Sequence, residues 1–128
     1  LALDIVCTVQ SMIDQGWRSI GLIAKNAEQA IEMYLLLGDS VKSTLVTKEE
    51  DDFHHGVVII PSYLAKGLEF DAVLVLNADS INYSHAQDRH ILYTICTRSL
   101  HRLYLYYMDT PSPFIAEISK DLYQIPNL

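Results

Sequence analysis

A three-layer α/β domain built on a mostly parallel central sheet is the fold class that the sequence predicts, and two observations carry it. Three short runs, Ile20 to Ala24, Val57 to Ile60 and Ala72 to Leu76, are apolar at nearly every position rather than at alternate ones. That is the pattern of strands covered on both faces. Segments with helical spacing lie between such runs, as strand–helix–strand units require. The length agrees: 128 residues, 50% of them hydrophobic, suit one globular domain with a real core.

The elements follow in order. Leu3, Val6, Val9 and Ile13 recur at near-helical spacing and predict a helix over Leu3 to Ile13, stopped by Gly16. Ser19 to Ala24 reads as a buried strand leading into the polar pair Lys25-Asn26. Ala27 to Leu37 is a second helix, closed by Gly38-Asp39. Val41 to Val46 reads as a strand, and the acidic stretch Lys48 to Asp52 as a solvated loop. Val57 to Ile60 is a central strand ended by Pro61, which has no N–H for a ladder. A polar segment with Lys66-Gly67 precedes the strand Ala72 to Leu76. Asn77 to Asp88 reads as loop, Arg89 to Ser99 as helix, and Leu103 to Tyr107 as a strand whose Tyr104, Tyr106 and Tyr107 pack. Pro111 and Pro113 then break the chain ahead of a short amphipathic tail.

Composition narrows the function. Sixteen Asp and Glu against nine Lys and Arg leave a net charge of −7, so any nucleic-acid contact comes from a local patch. No apolar run is long enough for a bilayer, so no membrane partner is expected. The chain opens at Leu1 without a signal-peptide pattern and reads as a piece of a longer, cytoplasmic protein. Cys7 and Cys96 lie far apart, form no CxxC and read as reduced thiols. His54, His55, His85 and His90 lack the partner spacing of a zinc site, so no metal site is expected. There is no GxSxG, and Cys96 falls on an apolar helix face. There is also no GxxxxGK[ST] loop and no Asp-Glu pair after a strand. This stretch alone does not cradle a triphosphate or hold its Mg²⁺.

Two segments stand out. Ser62 to Asp71 (Ser-Tyr-Leu-Ala-Lys-Gly-Leu-Glu-Phe-Asp) joins two buried strands, and ligands of open parallel sheets bind beside such strand ends. Lys66 offers a mobile cation, Gly67 permits close backbone approach, and Glu69 accepts hydrogen bonds from a sugar hydroxyl; a plain solvated connector remains the other reading. Thr97-Arg98 ends a predicted helix. Its guanidinium suits either phosphoryl charge or the helix C-terminus, where cations are favoured anyway.

Taken together, these segments resemble a known family. Ser62 to Phe70, with its Lys66-Gly67-Leu68-Glu69-Phe70 ahead of a strand, resembles motif V of the UvrD/Rep/PcrA superfamily 1 helicases. Tyr93-x-x-x-Thr97-Arg98 resembles motif VI, and Ile20 to Asn26 is similar to a shortened motif IV. Their order resembles the C-terminal (second) RecA-like domain of that superfamily, a P-loop NTPase-type fold, over about Ile20 to Met108. The wording from Pro61 to Val73 is most similar to the HelD (helicase IV-like) branch. The resemblance implies an ATP-dependent helicase or translocase in which the first RecA-like domain of the same protein holds most of the ATP and Mg²⁺. Arg98 would meet the γ-phosphate, with Lys25 in the place of a phosphate-contacting Arg. Glu69, Gly67 and Lys66 would face the nucleotide, and Ser62, Tyr63 and Lys66 a single DNA strand. The HelD likeness also implies ATP-driven remodelling of RNA polymerase as an option, and the alternative from another class is a catalytically silent RecA-like scaffold for protein interaction. The departures are Ala24 where the family has an adenine-stacking aromatic, and Pro61-Ser62-Tyr63 in place of Thr-x-His. Only residues 27–61 separate motifs IV and V, too few for the family's helical insertion.

Overall fold

The alternation of side chains along β1 (Ser19–Ala24) sorts the domain into layers. Ile20, Leu22 and Ala24 face one core cluster, shared with Val57 and Ile59 and with Ala72 and Leu74. Ile23 faces the opposite cluster, with Val58, Ile60, Val73 and Val75. Each strand therefore needs cover on both sides, which is why its apolar run is continuous. This computed structural model describes residues 2–48, 56–107 and 110–117. The expected acidic loop falls mostly, and His54-His55 wholly, outside them, as does most of the tail.

Among the described residues all strand pairs are parallel, and their five-stranded sheet has the order β2-β3-β1-β4-β5. Here β2 is Ser43–Leu45, β3 Gly56–Pro61, β4 Phe70–Val75 and β5 Ser99–Leu105. The three predicted runs are its inner strands. Helices α1 (Ala2–Asp14) and α2 (Ala27–Leu37) pack on the first face. On the second lie the short α3 (Ser62–Ala65), α4 (Ala86–Cys96) and α5 (Pro113–Ala116). Two layers of helix around a parallel sheet give the expected RecA-like arrangement. No described helix is long and apolar enough to cross a membrane.

Several boundaries differ from expectation for identifiable reasons. The buried stripe of α1 is Ile5, Val9 and Met12, while Leu3 and Ile13 face solvent. The segment carries two apolar stripes at helical spacing that share Val9, and only docking against the sheet chooses between them. Helix α4 begins at Ala86, three residues earlier than expected, because the Asp88 carboxylate accepts from the His85 N–H (3.0 Å) and starts the helix. Strand β5 begins at Ser99, earlier than its aromatic stretch, because Phe70 N–H already pairs with Arg98 C=O at 2.9 Å. The polar connector after Pro61 contains one helical turn, α3, rather than loop alone.

One close contact explains a glycine. A Cβ on Gly21 would lie 2.7 Å from Cδ2 of the Phe70 ring, which is itself buried at the base of β4. Phe70 thus needs a bare backbone beneath it in β1. Gly21→Ala should destabilise the fold by about 1–3 kcal/mol through overpacking. Urea denaturation checks this; an unchanged midpoint would mean the ring moves aside without penalty.

Candidate functional site

In an all-parallel sheet every residue just before a strand lies at one edge, and every residue just after a strand at the other. The site residues therefore divide. Glu69 precedes β4 and Arg98 precedes β5, and the register Phe70↔Ser99 sets them beside each other at the N-terminal edge. Lys25 follows β1 and Ser62 follows β3, at the C-terminal edge. Lys66 and Gly67 lie on the exposed connector that returns from the second edge to the first. Gly67 has φ +85°, a left-handed conformation that glycine adopts without strain, so the turn there depends on it.

At the N-terminal edge, Arg98 is half-buried behind the last turn of α4. Its Nε donates to Thr94 C=O at 3.1 Å and its Nη2 to Thr97 Oγ1 at 3.2 Å. Two of the guanidinium's five N–H groups are thus used within the chain, and the planar fork still has donors for an anion. Glu69 is exposed next to it. Strand pairing thus sets the backbones of a cationic and an acidic residue beside each other at this edge.

At the C-terminal edge, Lys25 is engaged. Its Nζ lies 2.9 Å from Asp88 Oδ1, donates to Asn82 C=O, and sits 5.6 Å from the centre of the Tyr83 ring. Its own carbonyl accepts from Ser62 Oγ at 2.7 Å. Asp88 is 3% exposed, and the hydrogen bond from Lys25, reinforced by those from His85 and Ser84, holds its carboxyl below the usual carboxylate range despite burial. Gln29 Nε2 donates to Asn82 Oδ1 at 2.7 Å and extends the polar network onto α2. Tyr63 is 60% exposed beside this edge, a ring available for stacking.

The structure thus brings together Glu69 with Arg98, and Lys25 with Ser62. It does not bring Lys25 to Arg98. Asp88, which holds Lys25, and Arg98 stand at opposite ends of α4, about 15 Å apart at 1.5 Å per residue. Ala24 is fully buried in the core, so no side chain at that position meets a ring. Burial pushes the Cys96 thiol up to about 11, which keeps it protonated. Among the described residues no group of three or more His, Cys, Asp or Glu converges on a metal ion. Sequence reasoning missed Asp88, whose partner is remote along the chain. Its only local signal was a lone acid three residues after a polar loop position.

Residues 56–106 match the family model described as the UvrD-like helicase C-terminal domain. Among solved structures, the crystal structure of the C-terminal domain of a possible DNA helicase from Lactobacillus plantarum WCFS1 is similar, with a TM-score of 0.86 and 33% sequence identity. The match covers 95% of this chain and 75% of that one. No curated protein matches the chain significantly.

The Lys25–Asp88 pair makes a prediction about pH. Asp88 titrates below its ordinary value of 3.8 in the fold, so its contribution to stability is complete well above that value. It is lost as pH falls through the lower, folded-state value. Lys25→Met should cost roughly 2 kcal/mol at pH 7, the scale of a hydrogen bond to a charge; a quarter of the lysine side chain meets solvent, which keeps the figure modest. The variant should also lose less stability than the wild type between pH 5 and 2. Parallel losses in both proteins, read by chemical denaturation across that range, would remove the pair from the stability balance.

Proposed function

The chain belongs to the UvrD-like helicase C-terminal domain family, and from that premise we propose that it is the second motor domain of an ATP-dependent DNA helicase or translocase. The observation that carries the proposal is the juxtaposition of Glu69 and Arg98 at one sheet edge. In the intact, cytoplasmic protein this edge would close on a first RecA-like domain that supplies the phosphate-binding loop. That domain would also supply the Mg²⁺ ligands. Arg98 would then meet the γ-phosphate and Glu69 a ribose hydroxyl, while Gly67 and Lys66 would form the turn against the nucleotide. Ser62, Tyr63 and Lys66 would contact a single strand, with Tyr63 stacking on a base. Lys25 would reach a phosphate only by exchanging it for Asp88.

The chemistry asked of these residues is electrostatic. Charge on the transferring phosphoryl group shifts as the bond to the leaving oxygen loosens, and a fixed guanidinium stabilises that state more than the ground state. A contact to the ribose is the same before and during reaction, so it contributes to binding only.

Buried Ala24 and the engaged Lys25 favour a second reading, a catalytically silent scaffold for protein interaction. A HelD-like role, with RNA polymerase as the partner that closure remodels, draws support from the wording of residues 61–73 and is tested by co-sedimentation of the intact protein with purified polymerase.

Steady-state kinetics distinguish motor from scaffold. In the intact protein, Arg98→Ala should lower kcat for ATP by about 10³-fold or more with a smaller change in KM. Glu69→Ala should raise KM instead. The 128-residue chain alone should release no phosphate above a protein-free control. An intact kcat in Arg98→Ala would make Arg98 a helix-end charge and the scaffold the better reading. Separately, Tyr63→Ala should weaken binding of a dT oligonucleotide by about 1–3 kcal/mol in fluorescence anisotropy.

A further inference from the structure

We infer that the outward face of α2 is a docking surface for a basic amphipathic helix of a partner protein. Helix α2 inserts Ala30, Met33 and Leu37 into the core, yet it is apolar on its other side as well. Tyr34, Leu35 and Leu36 are exposed apolar residues in succession, with Leu35 71% and Leu36 63% exposed, and exposed Ile31 lies one turn before Leu35. Soluble surfaces carry single apolar side chains freely, but a consecutive exposed run on a helix is the pattern of a face that a partner covers. The same face carries Glu28 and Glu32, both exposed, with Asp39 just past the helix end.

Charge selects the occupant. Residues 27–41 contain no Lys or Arg, and neither does α1, whose exposed Asp4 and Asp14 belong to the same helical layer. Among the described residues, Glu28 and Glu32 form no ion pair within the chain. A nucleic-acid strand or an anionic lipid surface is repelled there. A second copy docked about a two-fold axis would set the same carboxylates against each other. A partner without charge would strip water from the glutamates and leave them unpaired. The complement of this face is a segment that is apolar along one stripe and cationic beside it.

Helical geometry sets the spacing. Ala27, Ile31 and Leu35 form one ridge along α2, and Glu28, Glu32 and Leu36 the next, with a groove between them. A partner helix laying its own ridge in that groove sets a Leu-type side chain against Ile31 and Leu35 and brings Lys or Arg within reach of Glu28 and Glu32. The receiving helix is fixed at both ends: Asn26 Oδ1 accepts from Gln29 N–H at 2.9 Å, and Gly38 N–H donates to Tyr34 C=O. Docking therefore has little backbone to order on this side. The surface lies on the sheet face opposite α3 and α4 and uses none of the residues assigned above to nucleotide or strand.

The experiment titrates the intact protein into a fluorescent synthetic helix of about 18 residues, Leu on one face and Lys on the other, and follows anisotropy. The wild type should bind it and should not bind the same peptide with Glu in place of Lys. Leu35→Ser and Glu32→Lys should each weaken binding about tenfold or more. Glu117→Lys makes an equal change of net charge at an exposed position on the opposite sheet face, and should alter binding by no more than about twofold. No binding by the wild type overturns the inference. Equal losses in Glu32→Lys and Glu117→Lys, equal binding of the two peptides, or binding untouched by Leu35→Ser overturn it as well. Leu35→Cys adds a check that needs no affinity: a maleimide should modify position 35 readily in the intact protein, read by mass spectrometry, and the Leu/Lys helix should slow the reaction. Slow modification without that helix means that the same polypeptide already covers the face, which also overturns the inference. No ATP enters these measurements, so their failure leaves the motor reading untouched.

Discussion

Parallel pairing of β1 on both sides is the constraint from which the rest of the structure follows. Its register with β3 and with β4 runs in the same direction, so β1 exposes neither an edge nor a face. A strand so enclosed has to be apolar throughout, and each connection leaving it has to cross the sheet before another strand begins. The crossings carry the helices onto both faces. They also gather strand-ending residues at one edge and strand-preceding residues at the other. The separation of Lys25 from Arg98 is thus a property of the topology and not of either side chain.

How much of this was legible in the sequence depends on where the information lies. The enclosed strands announced themselves because burial on two faces leaves no polar position, and the long α2 was read to its ends because Asn26 and Gly38 punctuate it. The Glu69 and Arg98 neighbourhood was implied by family motifs whose adjacency the β4–β5 pairing then supplied. What stayed hidden was every decision made by contacts between distant segments. The face of α1 was one, since two stripes competed. The start of α4 was another, since its cap is a carboxylate that also answers to Lys25. A residue engaged with two partners from different parts of the chain leaves no local periodicity to read.

Lys25 shows why a motif position and a side-chain role are separate matters. The ammonium follows a buried strand at the edge where open α/β sheets bind ligands, between loops after β1 and β4 that lead to opposite sides of the sheet. In this chain, Asp88, the Asn82 carbonyl and the Tyr83 ring receive it. A planar guanidinium in that place would present its donors in a fixed fork, whereas a compact ammonium on a flexible stem reorients among acceptors at little cost. Exchange of partners is therefore a natural capability of the residue that stands there.

Arg98 resolves differently, because its two readings do not compete. The last turn of α4 leaves carbonyls without intrahelical partners and carries the negative end of the helix dipole, and both favour a cation. The Nε bond to Thr94 C=O meets that need and fixes the plane of the guanidinium. Fixing it is also what transition-state stabilisation requires, since a donor already oriented loses little freedom when charge develops in front of it. The same hydrogen bonds that make Arg98 an ordinary helix terminus in this domain would also hold it ready for an anion under the proposed motor reading. A cap and the proposed phosphate contact would then be one arrangement, distinguished only by what is brought up to its open side.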